Sequence, residues 1–208
     1  RIMTPPTPHD LDKAIKKLKS LHDGDPGVID VIACGTRIIP VLRALLFERD
    51  SSGLFQTRCR AVNALAALDA RDVLLEFLSA PHEATDPVER LGDDAAVNAA
   101  ARAVAKYSEE KIFQLLMTLA RHRPLPGVIA ALGKFDRQES IPCLIDALLE
   151  DECRPAAEAA LNRLGPSARL ALLRAATPTA PSPEGESPSR IRQRQSALGL
   201  LAKTGISP

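Results

Sequence analysis

Large apolar, small and polar residues recur along this chain in a fixed order. The segments "CRAVNALAALD" (59–69) and "CRPAAEAALNRLG" (153–165) nearly repeat each other, each ending in a turn residue after a run of alanines. With Asp69, Ser108, Asp136 and Gly165 as anchors, the preceding position holds Leu68, Tyr107, Phe135 or Leu164. Four before the anchor stand Leu65, Val104, Leu132 and Leu161; five before, Ala64, Ala103, Ala131 and Ala160; eight before, Ala61, Ala100, Val128 and Ala157. Residues three and four apart share one helical face, so these offsets predict a helix with a mixed leucine and alanine stripe.

A second apolar segment follows each anchor: "RDVLLEFL", "EEKIFQLLMTLA", "ESIPCLIDALLE" and "SARLALLRAA". Two weaker copies flank them, "VIDVIACG" with "TRIIPVLRALLFE" before and "QRQSALGLLAKTG" after. Anchors at 35, 69, 108, 136, 165 and 205 lie 34, 39, 28, 29 and 40 residues apart, a period that indicates a stacked helical array. Small residues five and eight places before the anchor predict close approach of helix backbones, toward the lower end of the usual ~8–10 Å. Pro40 and Pro142 fall where second helices begin, where a missing N–H costs little. The expected fold is all-α: a right-handed α-solenoid of about five to six stacked antiparallel helix pairs.

The segments "RPAAEAALNRLG" and "IPCLIDALLEDE" resemble HEAT repeats, specifically the short bacterial HEAT-like type also found in phycobilisome lyases. That family commonly has an arginine eleven places before the anchor; Arg58, Arg154 and Arg194 match it, whereas Val97 and Leu125 do not. The resemblance spans about residues 25–205 and is strongest over 127–175. It specifies the fold more than the function, and because that family consists mostly of binding scaffolds it implies a binding role.

The expected organisation is a tail and capping helix over 1–24, a repeat array over 25–175, a Pro/Ser-rich linker over 176–189 and a half-repeat or cap over 190–208. The first helix, "DLDKAIKKLKSLH", places Leu11, Ala14, Ile15, Leu18 and Leu21 on one face. "SAPHEATDPVERLGDD" (79–94) reads as a long connector, and "PTAP" at 178–181 resembles a short peptide-docking motif.

Composition narrows the chemistry. Of 208 residues 45% are apolar, but only 3% are aromatic and none is Trp, so the core is Ala, Leu, Ile and Val. With 27 basic against 26 acidic residues, the net charge of +1 supplies no field for nucleic acid or an anionic membrane. No apolar run reaches the roughly 18–20 residues that cross a bilayer, and "RIMTPPTPHD" lacks the apolar stretch of a secretory signal. Cys34, Cys59, Cys143 and Cys153 lack CxxC spacing and read as reduced thiols of a cytoplasmic protein.

The residues that catalysis would need are sparse. A di-iron centre like that of the HEAT-like deoxyhypusine hydroxylases needs repeated His-Glu pairs, and His82–Glu83 is the one pair here. His9, His22 and His122 stand alone. HEAT-like DNA glycosylases offer a second analogy, but Tyr107 occupies a core offset. Arg43, Arg121 and Arg169 as a basic track face acidic neighbours such as Asp72, Glu76 and Asp146. The lyase resemblance adds handling of a tetrapyrrole or of a chromophore-bearing partner.

The expectation is therefore a non-enzymatic protein–protein scaffold or adaptor, without catalytic residues, metal or cofactor. Its alternatives are a chromophore lyase-like enzyme or accessory factor, or a nucleic-acid-binding repeat protein. Partner-binding residues are expected on the second helices: Arg43, Phe47, Asp72, Glu76, Gln114, Thr118, Arg121, Asp146, Glu150 and Arg169. Phe47 is the expected anchor, as an exposed aromatic among charges.

Overall fold

The computed structural model describes residues 7–52, 54–178 and 185–203, and these are helical, turn or loop with no strand among them. Twelve α-helices follow one another among these residues. They are α1 (Pro8–Leu18), α2 (Gly24–Ala33), α3 (Ile39–Phe47), α4 (Gln56–Ala67), α5 (Arg71–Ser79) and α6 (Pro87–Val104). The second half contains α7 (Glu110–His122), α8 (Pro126–Gly133), α9 (Ile141–Ala147), α10 (Arg154–Leu164), α11 (Arg169–Ala176) and α12 (Pro188–Lys203). Short 3₁₀ turns at Gly35–Ile38, Gln138–Ser140 and Gly165–Ala168 lead into α3, α9 and α11. The chain divides into two compact units, residues 1–106 and 107–208.

Within the first unit α2 packs on α4 and α4 on α6, while α3 packs on α5. Second helices also lie against the first helices that follow them, α3 on α4 and α5 on α6. The second unit repeats this logic: α8 on α10 and α10 on α12, α7 on α9 and α9 on α11, with α7 on α8, α9 on α10 and α11 on α12. First helices stack on first helices and second on second, which is the layering of an α-solenoid.

The stripe read from the sequence builds this layering. Leu65, Val104, Leu132 and Leu161 are buried, as are Ala61, Ala64, Ala100, Ala131, Ala157 and Ala160. A methyl group added at Gly133 of α8 would lie 2.6 Å from the Ala160 Cβ of α10, so these helices meet through their smallest residues. Gly27 of α2 makes a similar approach, its virtual Cβ 2.8 Å from the Leu18 backbone nitrogen of α1. Positions just before the anchor carry less burial than expected. Leu68, Tyr107 and Phe135 are half-buried, because the turn lifts them toward the end of the layer.

The anchors explain the turns. Gly35, Asp69, Asp136 and Gly165 all have positive φ, at 69°, 55°, 49° and 52°. After α4 the Ala70 N–H donates to the Leu65 carbonyl at 2.9 Å and the Asp69 N–H to Ala66 at 3.3 Å, closing the helix with a left-handed residue. Glycine is the usual residue there, yet two anchors are aspartates. A base two places before the next layer's anchor answers each of them. Lys106 Nζ donates to the Ala66 carbonyl at 3.0 Å and lies 3.6 Å from Asp69 Oδ1. Arg163 donates to the Gly133 carbonyl at 2.7 Å and to Asp136 Oδ1 at 3.1 Å.

Three features depart from expectation. Leu21 lies beyond the end of α1 and is 62% exposed. The segment 79–94 is not one connector, because Asp86 caps α6 by accepting from the Val88 and Glu89 N–H groups, and Pro87 opens the helix. Ser108 lacks the left-handed turn of the other anchors, and Ala103 in the long α6 is half-buried. Most of "PTAP", the anchor Gly205 and the amino-terminal residues 1–6 lie outside the described residues.

Candidate functional site

The first unit holds a cleft of about 350 Å³ where the turn after α1 meets the loop joining α3 to α4. Its lining includes the exposed Leu21 and Leu54, the cations Lys19, Arg49, Arg58 and Arg60, and the carboxylates Glu48 and Asp50. Gln56 and Thr57, the first residues of α4, complete one wall.

The cations are held by different means. Arg58 stands at the repeat's arginine position, with a side chain only 5% exposed. Its Nε donates to the Leu46 carbonyl at 2.9 Å, tying α4 to the end of α3. Its Nη1 donates to Asp93 Oδ1 at 2.9 Å, and the guanidinium stands 5.7 Å from the Phe77 ring. Asp93, on α6, is buried, and also accepts from Arg49, whose Nη2 lies 3.0 Å from Oδ2. A buried carboxylate is tolerable only when paired and hydrogen-bonded, and here two guanidiniums share it. Arg60 is anchored from α4 to the α1–α2 turn, donating to the Ser20 carbonyl at 2.8 Å, the Leu18 carbonyl at 3.2 Å and Asp25 at 2.9 Å.

His82 sits behind this network. Its Nε2 lies 2.8 Å from the Phe77 carbonyl, and its ring meets the Phe77 ring at 4.7 Å. Burial lowers its pKa below the ordinary imidazole value, and the Phe77 carbonyl and Asp93 oppose that shift. The His82–Glu83 pair is thus committed to packing at its histidine, and no cluster of three or more His, Cys, Asp or Glu suited to a metal occurs among the described residues. His9, His22 and His122 are exposed.

Of the residues expected to bind a partner, Arg43, Phe47, Asp72 and Glu76 lie in the first unit. Phe47 is not a free aromatic: it is half-buried, edge-on to Phe77 at 5.4 Å, with the Arg43 guanidinium 4.9 Å above its ring. Arg43 and Glu76 form an ion pair, which holds the Glu76 carboxyl below its usual range. Asp72 is exposed, 3.7 Å from Arg71. The α3–α5 face therefore pairs much of its own charge.

The others lie in the second unit, and all are exposed. Gln114 donates to Glu110 at 2.8 Å, and the Thr118 hydroxyl to the Gln114 carbonyl at 3.0 Å. Arg121 reaches the buried Cys143 of α9, Asp146 lines an open apolar groove with Ile141, Ile145 and Ala171, and Arg169 opens α11, whereas Glu150, expected on a second helix, falls in the turn after α9, which ends at Ala147. Burial raises the pKa of all four cysteines, Cys153 to about 11, so none is poised as a thiolate.

Lys19, Arg49, Leu54, Arg60 and Asp93 were not singled out from sequence. For Asp93 a signal was present in the Asp86–Pro87 helix start, which moves residues 87–94 from loop to helix.

The fold defines a class: an α-solenoid of stacked helix pairs. No family model matches the sequence, and no curated protein matches it. Among solved structures, the chain is similar to one in the complex of CpcE and CpcF of phycocyanin lyase from Nostoc sp. PCC7120. The match covers 99% of this chain and 80% of that chain, with 21% identity and a TM-score of 0.46. The similar chain is part of a lyase, which runs against the expected non-enzymatic scaffold, and that expectation is withdrawn. At this distance the likeness assigns no activity, substrate or residue to the present chain. No helix among the described residues is long and apolar enough to cross a membrane.

Proposed function

We propose that the protein is a lyase-like HEAT-repeat factor that holds a tetrapyrrole-class pigment in the first-unit cleft, working with a protein partner. The observation that carries this reading is the composition of the cleft. A space of about 350 Å³ sets two exposed leucines beside four cations, two of them fixed by the buried Asp93. Ligand sites combine apolar lining with a few placed polar groups, and their volumes begin near ~300 Å³. A linear tetrapyrrole presents a flat apolar body with carboxylates, which suits leucines flanked by guanidiniums. A volume of this size takes one end of such a molecule and leaves the remainder for a partner to cover. The second-helix residues Gln114, Arg121, Asp146 and Arg169 are candidates for that partner's contacts.

The test is an absorbance titration of the purified chain with biliverdin. A saturable shift that the Leu21→Asp/Leu54→Asp double variant weakens about tenfold or more, with helicity retained, supports the reading. An unsaturable response in the wild-type chain overturns it.

A further inference from the structure

One wall of the cleft offers hydrogen-bond donors without acceptors. It is the first turn of α4, Gln56, Thr57 and Arg58. Phe55 occupies the N-cap and supplies no side-chain acceptor, and the N–H groups of these three residues donate to nothing among the described residues. Aligned peptide dipoles place roughly half a positive charge at such an end. Other helices of this chain also start without a side-chain cap, so an open end alone is no site.

The surroundings distinguish α4. Arg58 lines the cleft although its side chain is almost wholly buried, and its Nε and Nη1 are held by the Leu46 carbonyl and Asp93. Its Nη2 makes no hydrogen bond among the described residues. Two guanidiniums share the one carboxylate of Asp93, leaving one positive charge uncompensated within the triad. Lys19 has no ion pair among the described residues. The opposing carboxylates are Glu48 and Asp50, both exposed, and Asp50 is occupied by the Ser52 N–H at 2.8 Å.

We infer that this corner is an anion subsite that takes a carboxylate of the cleft's ligand, on the open first turn of α4 with Arg58, Arg49 and Lys19 around it. The inference rests on the cleft being the ligand site and adds the group it recognises. Arg58 touches the carboxylate, while Asp93 acts through Arg58 and Arg49 as a positioning residue. Helix N-termini and fixed guanidiniums both favour oxyanions, and hydrogen bonds to charged groups are the stronger kind.

The experiment compares biliverdin with its dimethyl ester on the wild-type chain and on Gln56→Glu. This variant places a fixed carboxylate at the open turn, where the helix dipole stabilises an acid, so folding is retained or improved. The expected result is that the wild type binds the diacid roughly tenfold tighter than the ester, and that Gln56→Glu erases the difference. Equal binding of acid and ester by the wild type overturns the anion subsite while leaving the pigment reading intact. A second measurement separates the opposite failure. Acetate and phosphate are titrated at constant ionic strength while the amide shifts of Gln56, Thr57 and Arg58 are followed by NMR. Saturable shifts confined to that turn, and absent in Gln56→Glu, sustain the subsite even where no pigment binds. Flat shifts overturn it.

Discussion

Arg58 and Arg154 occupy the same position in their repeats and make the same first contact, yet their surroundings differ. Each donates Nε to a carbonyl near the end of the preceding second helix, Leu46 at 2.9 Å and Leu148 at 3.0 Å. Each also pairs with a carboxylate that a second arginine shares, Arg49 on Asp93 and Arg192 on Asp151, but those carboxylates differ. Arg154 pairs with Asp151 three residues upstream, a carboxylate 65% exposed to solvent. Arg58 pairs with Asp93, thirty-five residues downstream on another helix and fully buried. A motif that merely ties helices together in the second unit thus anchors a charged core beside a cleft in the first. Burying such a pair rarely adds stability over apolar packing, so its presence next to an open cleft points to a demand other than folding.

The largest effect should come from breaking that core. Asp93→Ala leaves Arg58 buried without its counter-ion and should cost about 3–5 kcal/mol in chemical denaturation. Asp151→Ala, the corresponding change in the second unit, should cost no more than about 1 kcal/mol, since that pair faces water. Equal losses would erase the distinction between the two arginines.

Packing sharpens the contrast from the other side. Ala160→Leu drives a larger side chain toward Gly133, where even a methyl group would come within 2.6 Å of the Ala160 Cβ. Overpacking of this kind costs about 1–3 kcal/mol, measurable as a lower denaturation midpoint. The Leu161→Ala cavity beside it should cost about 2–5 kcal/mol.

How much of this was legible depends on the range of the contacts. The leucine and alanine offsets were readable because a helix brings residues three and four apart onto one face, and Leu65, Leu132 and Leu161 are buried accordingly. Four of the turns were readable too, at Gly35, Asp69, Asp136 and Gly165. The cleft was not. Its cations come from the α1 turn, the α3–α4 loop and α4, and Asp93 joins them from α6. No local periodicity records a pairing across thirty-five residues. Phe47 misled for the same reason: its position on α3 suggested exposure, but Phe77 and Arg43 cover it from outside that helix.

A smaller effect concerns pH, and it belongs to the first unit. His82 has a folded pKa below its ordinary value near 6.5 because burial disfavours the imidazolium. The unfolded chain therefore takes up the proton first as pH falls. His82 leaves stability intact above about 6.5, and stability declines below that until the lower folded pKa is passed. Melting temperatures between pH 7.5 and 5.5 should fall for the wild type and flatten for His82→Gln. An unchanged slope in the variant would assign the decline to other groups.

The smallest effect asks why two anchors are aspartates where two others are glycines. A non-glycine residue at positive φ costs roughly 1–2 kcal/mol, less for Asp, while glycine adds about 0.5–1 kcal/mol of unfolded-chain entropy. What remains is the basic latch from the next layer. At Asp69 the lysine contact is loose, 3.6 Å between exposed groups, and should contribute little. At Asp136 the arginine makes a 3.1 Å hydrogen bond and also reaches the Gly133 carbonyl. Asp69→Gly should therefore be neutral or stabilise by about 0.5 kcal/mol, and Asp136→Gly should be neutral or destabilise by about as much. Thermal melts of the two variants, each repeated with Lys106→Ala or Arg163→Ala, isolate the latch. If Asp136→Gly stabilises as much as Asp69→Gly, the inter-layer base does not offset the turn, and these aspartates need another explanation.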